Sequence, residues 1–260
     1  MGALTIAWEQ HIARSLAPRD DGTALHASDL HSCDYALHRR LKGFPSIPFD
    51  EDDFNVFEVG HAFEGRVEIA LGHWVKENNL SVERGEQVEY DGIVGNLDFS
   101  FYRGADECVG VADVSTTKKP APKEDPQAKP EPSYGHVLKT AFYALAKGGV
   151  PFSEFVLRLG YGGVVKAYAE YRYTLDQPAL DDGTTWRQAV EQAIAHVKAI
   201  SGRSEAPGTI PPTTPAWAYA DPAKEPVEAW RCGSKTGASY CQAICPLNMK
   251  VNGPQHAKTA

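Results

Sequence analysis

Apolar positions along the chain repeat with two periods, three-to-four in some stretches and two in others, and these periods lay out the elements. Leu4, Ile6, Ala7 and Ile12 mark a helix over residues 4–17. The stretch HASDLHSCDYALHRRLKGF predicts a second helix, with Ser28 as its N-cap and Gly43 as its stop. A long helix is expected from Phe54 to Asn78, carrying Val56, Val59, Phe63, Val67, Ala70 and Trp74 as its apolar positions. Residues 80–90 read as an edge strand or a hairpin leading into the strand that carries Asp98. Two further strand-like runs, IVGNLDFSFY and CVGVADVSTT, are joined by the turn-like RGADE. YGHVLKTAFYALAKGG is a helix closed by Gly148 and Gly149. EFVLRLGYG and VVKAYAEYRYTL read as a hairpin that completes the sheet. The last periodic stretch is a helix capped near Thr184, with a core stripe of Trp186, Val190, Ile194 and Val197 and with His196 at the surface.

A chain of 260 residues with 42% hydrophobic content can bury one substantial core. A single domain over 1–260 is expected, with its core at about 54–200 and flanking segments at 26–45 and 226–247. Residues 120–133 hold five prolines and no apolar side chain larger than alanine, which reads as a mobile loop. No run of 18 apolar residues occurs, and the first residues lack a signal-peptide pattern, so a cytoplasmic protein without a membrane partner is expected. The net charge of −8 argues against a broadly positive surface. Local basic groups at Arg39, Arg40 and Lys42, and at Lys118, Lys119 and Lys123, still leave room for phosphate contacts. A homo-oligomer is left open.

Candidate chemistry sits in the two central strands. Asp98 and Asp113 each lie among alternating apolar neighbours, where a carboxylate loses hydration and needs a partner. One carboxylate from each of two adjacent strands can converge on a divalent cation, and hard oxygen donors suit Mg2+ or Mn2+. The plainer reading is a pair of strand-end aspartates facing water. On the long helix, His61, Glu64 and Glu68 are spaced to share a face; on the later helix, so are His136, Lys139 and Tyr143. Three of the five cysteines, Cys232, Cys241 and Cys245, crowd the tail, and such thiolates suit zinc or iron–sulfur.

The acid on one strand followed by an acid on the next resembles the PD-(D/E)xK nuclease core. Asp98 matches the first acid and Asp113 the second, while Ser115 stands where that family carries lysine. Gly60 and Glu64 resemble the family's first helical motif, with His61 offset from it and a second-choice ligand. Lys139 and Tyr143 match the Gln-x-x-x-Tyr helix of the RecB-like and Cas4-like branch, with lysine in place of glutamine. One early cysteine, Cys33, and the three late ones resemble the iron–sulfur nucleases of Cas4 and AddB type, in which a [4Fe–4S] cluster staples the domain ends.

The resemblance implies an α/β fold with a mixed central sheet flanked by helices, plus a cluster-stapled helical and C-terminal lobe. It also implies a metal-dependent DNA exonuclease acting on single strands or ends, with a cellular or viral origin left open. Glu64, Asp98, Asp113 and the Val114 carbonyl would bind the metal, with His61 in reserve. Lys139 would supply the charge missing at Ser115, and Tyr143 would position the nucleic acid. Lys118 reaching back from the strand end is a weaker source of that charge. The alternative is a catalytically inactive nuclease-like protein that binds DNA or serves in assembly and retains the cluster.

Overall fold

A computed structural model describes residues 24–32, 34–42, 51–117, 120–160 and 163–204, without the side chains of 35, 36, 39 and 51–59. The helix expected at 4–17, all four cluster cysteines, and Lys118 and Lys119 lie outside the described residues.

The strands are β1 (Leu25–His26), β2 (Ser81–Tyr90), β3 (Ile93–Arg103), β4 (Glu107–Thr117), β5 (Phe152–Leu159) and β6 (Val165–Tyr173). The helices are α1 (Asp34–Leu41), α2 (Glu51–Glu77), α3 (Tyr134–Ala146) and α4 (Trp186–Ser201). The strands form one mixed sheet in the order β1-β3-β4-β5-β6, with β2 on the other edge of β3. Antiparallel pairs join β2 to β3, β3 to β4 and β5 to β6, whereas β4 and β5 run parallel with α3 as their crossover. This is the expected mixed α/β architecture, and the helices cover both faces of the sheet.

The larger core lies between the sheet and α3 and α4, where Ile93, Leu97, Val111 and Phe152 meet Leu138, Phe142, Val190 and Ile194. The whole predicted α4 stripe is buried. On the opposite face, α2 packs Phe63 against Leu157 and Leu159, and Trp74 edge-on against Phe101 at 6.1 Å.

Two local expectations are corrected and one is sharpened. Ser28 caps no helix: it is exposed within a 3-10 turn, Ala27–His31, and its carbonyl accepts a bond from Ser32 Oγ at 3.0 Å. The cap of α4 is Thr185 rather than Thr184, because Gln188 three residues on completes a reciprocal capping box with it. His196 is no free surface residue, since its Nε2 lies 2.8 Å from Asp34 Oδ1 on α1, across the helix pair. Between 120 and 133 there is neither helix nor strand; Arg158 donates to the Ala128 carbonyl at 2.6 Å, and Pro130 is buried.

The placement of β3 prepares the site. Its Ile93 and Val94 pair with β1, and its Phe99–Arg103 segment pairs with β4. Because β2 occupies the other edge, β1 and β4 share one edge of β3, and residues 95–98 lie in the gap between them. Side-chain alternation slips there as well. Leu97 joins the core under α3, yet Phe101, four residues on, faces Trp74 of α2. Strict alternation would instead leave Phe101 on the Leu97 face. Opposite the slip, Gly85 of β2 takes φ +70, a conformation that glycine supplies without steric cost.

Candidate active site

Asp98 stands at the slip in β3, where β4 parts from it. The Val114 N–H, which a regular ladder would direct at a backbone carbonyl, donates instead to Asp98 Oδ2 at 2.8 Å. Burial first, and the Asp113 charge second, push the Asp98 pKa up to about 8, against the lowering pull of the Val114 N–H and Lys139. An acid so placed holds its proton at neutral pH unless a cation takes that proton's place.

Asp113 lies on β4 with its side chain 1% exposed. Lys139 of α3 places its Nζ 2.7 Å from Asp113 Oδ2, and Oδ1 has no hydrogen-bond partner. Burial opposes the lysine charge, but Asp113, Tyr143 and Asp98 outweigh it and hold the Lys139 pKa above its ordinary value. Tyr143 follows one turn later, buried, with its ring centroid 5.9 Å from Lys139 Nζ. Burial pushes its phenol pKa up. A Cβ on Gly95 would come within 2.6 Å of the Tyr143 ring, so the missing side chain lets that ring lie on the strand. Ser115, in the lysine position of the motif, is buried two residues beyond Asp113.

Glu64 of α2 is close enough to press upward on the Asp98 pKa, but its Oε2 is held at 3.1 Å by Arg84, which also reaches Glu68 at 3.0 Å. His61 is exposed, and its carbonyl accepts from Arg84 at 3.4 Å. The structure thus gathers Asp98, Asp113, Lys139 and Tyr143, with Glu64 bordering them and His61 further out.

A second carboxylate was missed in the sequence. Glu154 of β5 pairs in register with Asp113, is fully buried, and accepts a hydrogen bond from Thr140 Oγ1. The run EFVLRLG reads as a strand that begins at Glu154, which puts the acid at an end. The strand in fact begins at Phe152 and carries Glu154 inside, where the argument used for Asp98 would have singled it out. Burial and the Asp113 charge push the Glu154 pKa up. His136 of α3 is near, and burial, then Lys139, lowers its pKa. Among the described residues, Asp113, His136 and Glu154 form the group whose potential ligand atoms all lie within 4.8 Å of one another.

No protein-family model matches the chain, and no curated protein matches it either. Solved structures resemble parts of it. The protein SSO0001 overlaps with a TM-score of 0.41 at 15% identity, covering 75% of this chain and 87% of its own. The alkaline exonuclease LHK-Exo from Laribacter hongkongensis overlaps with a TM-score of 0.40 at 16% identity, covering 74% and 94%. A phage-related exonuclease from Haemophilus somnus 129PT overlaps with a TM-score of 0.43 at 10% identity, covering 68% and 93%. Likeness at this level assigns neither a family nor an activity to this chain.

Proposed function

We propose that the chain is a metal-dependent DNA nuclease, a Cas4-like exonuclease acting on single strands or ends with Mg2+ or Mn2+. The observation that carries this reading is the Lys139 ammonium 2.7 Å from the buried Asp113 carboxylate. Asp98 adjoins that pair closely enough for its acidity to be set partly by it. Two buried acids from separate strands with an ammonium between helix and sheet are a costly arrangement for packing alone. They are what phosphodiester hydrolysis requires.

The donor set fits a divalent cation, since Asp113 keeps an unpartnered oxygen and Asp98 is a suppressed carboxylate. When bound, such a cation supplies an activated water and neutralises developing charge. Asp98 and Asp113 would hold it, with Glu64 and the Val114 carbonyl completing the set. Lys139 supplies the fixed positive charge that Ser115 cannot, opposite the phosphate oxygens as charge gathers there. Tyr143, buried against Gly95, packs beside Lys139 and acts on the nucleic acid only through the placement of that lysine.

The second reading, a DNA-binding or assembly protein without hydrolysis, draws support from the same ion pair. An ammonium already neutralising Asp113 leaves that carboxylate less charge to offer a metal. Labelled single-stranded and duplex DNA, with and without Mn2+, separates the two. Metal-dependent shortening of strands is expected, reduced by about 100-fold or more in Lys139→Ala and Asp113→Asn. Equal cleavage by wild type and Lys139→Ala removes Lys139 from the mechanism. DNA binding without cleavage by any of the three proteins establishes the second reading.

A further inference from the structure

Three buried groups beneath the proposed site remain without the partners their burial demands. Asp113 Oδ1, Glu154 Oε2 and His136 Nδ1 are all shielded from solvent and make no hydrogen bond. They belong to three different elements, β4, β5 and α3. The parallel register of Asp113 with Glu154 fixes the two acids side by side, and α3 lays His136 across them. Buried polar groups are ordinarily paired, and each orphan costs stability. These three residues each offer a ligand atom, all within 4.8 Å of one another, so small side-chain shifts would bring them around one ion with bonds of about 2 Å.

We infer that Asp113, His136 and Glu154 form a second cation site, deeper than the Asp98 side of Asp113, that takes a divalent first-row transition metal. The donor set decides the ion class. One imidazole with two carboxylates favours transition metals, whereas Mg2+ prefers oxygen and keeps its waters. Burial of the two carboxylates supports the same choice, because it strips water that Mg2+ gives up reluctantly. Asp113 then bridges two cations, and Thr140, donating to Glu154 Oε1, leaves Oε2 turned to the metal. The rival account is a proton shared between Glu154 and Asp113, which would satisfy two of the three orphans without a metal. The inference shares Asp113 with the proposed nuclease site but needs no hydrolysis, so an inactive protein could still hold this ion.

The test uses the full chain and Mn2+, which is paramagnetic and little drawn to thiolates. Mn2+ is titrated in a large excess of Mg2+ and followed by electron paramagnetic resonance. One equivalent of Mn2+ resistant to Mg2+ is expected, with the spin-echo modulation of a coordinated imidazole nitrogen. The signal should persist in His61→Ala, which removes the histidine that the sequence offered as a reserve ligand. In His136→Gln the nitrogen modulation should vanish, and in Glu154→Gln affinity should fall about 10-fold or more. Displacement of all Mn2+ by Mg2+, absence of nitrogen modulation in wild type, its loss in His61→Ala or its survival in His136→Gln would each overturn the inference. Should His136→Gln fail to fold, wild type and His61→Ala decide the matter between them.

Discussion

Asp98 and Asp113 occupy adjacent strands and yet receive opposite treatment. Asp113 is given an ammonium, and Asp98 is given one backbone N–H and the repulsion of its neighbour. In the metal-free protein Asp98 therefore titrates near pH 8, against an ordinary value of 3.8. Between those values the folded state binds a proton that the unfolded chain releases, so stability falls as pH rises. The slope has an upper bound of about 1.4 kcal/mol per pH unit. Metal-free wild type should lose melting temperature from about pH 5 to pH 8 relative to Asp98→Asn, which has no proton to lose there. Parallel curves for the two proteins would show that Asp98 ionises normally. His136 works in the other direction: its depressed pKa favours the folded state above the unfolded value of 6.5 and withdraws that support in acid. At this scale a sequence shows which acids interrupt apolar runs. Asp98 and Asp113 were legible for that reason, whereas Glu154 was lost through an error of two residues in where β5 begins.

Among the elements, β3 does most to shape the site. Its contact with β2 runs along one edge with a gap only at Asp98, opposite Gly85, and on the other edge it is broken between β1 and β4, where Asp98 lies. Gly95, within the same interval, admits α3: a Cβ there would lie 2.6 Å from the Tyr143 ring and 2.8 Å from Ala27 Cβ. Both contacts are with packed groups that have little room to yield. Gly95→Val should thus cost about 1–3 kcal/mol by overpacking, and it should displace α3 together with Lys139. Loss of melting temperature with a larger proportional loss of metal-dependent cleavage is the expected outcome; unchanged stability would mean that α3 sits further from the strand. Periodicity predicted the helices and strands here because each buries one face. It could not predict the slip in alternation at Asp98, since that depends on how the strands meet and leaves only Gly85 as its trace.

For the whole molecule, the notable fact is how the chain's early and late parts meet. His38 of α1 lies 3.3 Å from the Arg203 carbonyl, just beyond α4, and Asp34 holds His196. Cys33 immediately precedes α1, and the segment after Arg203 leads to Cys232, Cys241 and Cys245. All four of these cysteines lie outside the described residues, and the [4Fe–4S] staple that the resemblance implies, with zinc as the competing occupant of the same thiolates, has a direct test. Protein purified without oxygen should be brown, with a broad visible absorption that Cys245→Ser abolishes. A colourless preparation with zinc would replace iron by zinc and leave the Asp98–Asp113 site unaffected.

Element identities and the candidate acids could be read directly from the chain, because the period of burial and the cost of desolvating a carboxylate act over a few neighbouring residues. Whether Lys139 reaches Asp113, and whether Glu154 and His136 join it, depends on the parallel alignment of β4 with β5 and on the seating of α3 across them. Those are contacts between residues more than twenty positions apart, as Asp113 and Lys139 are, so only packing in three dimensions brings them together.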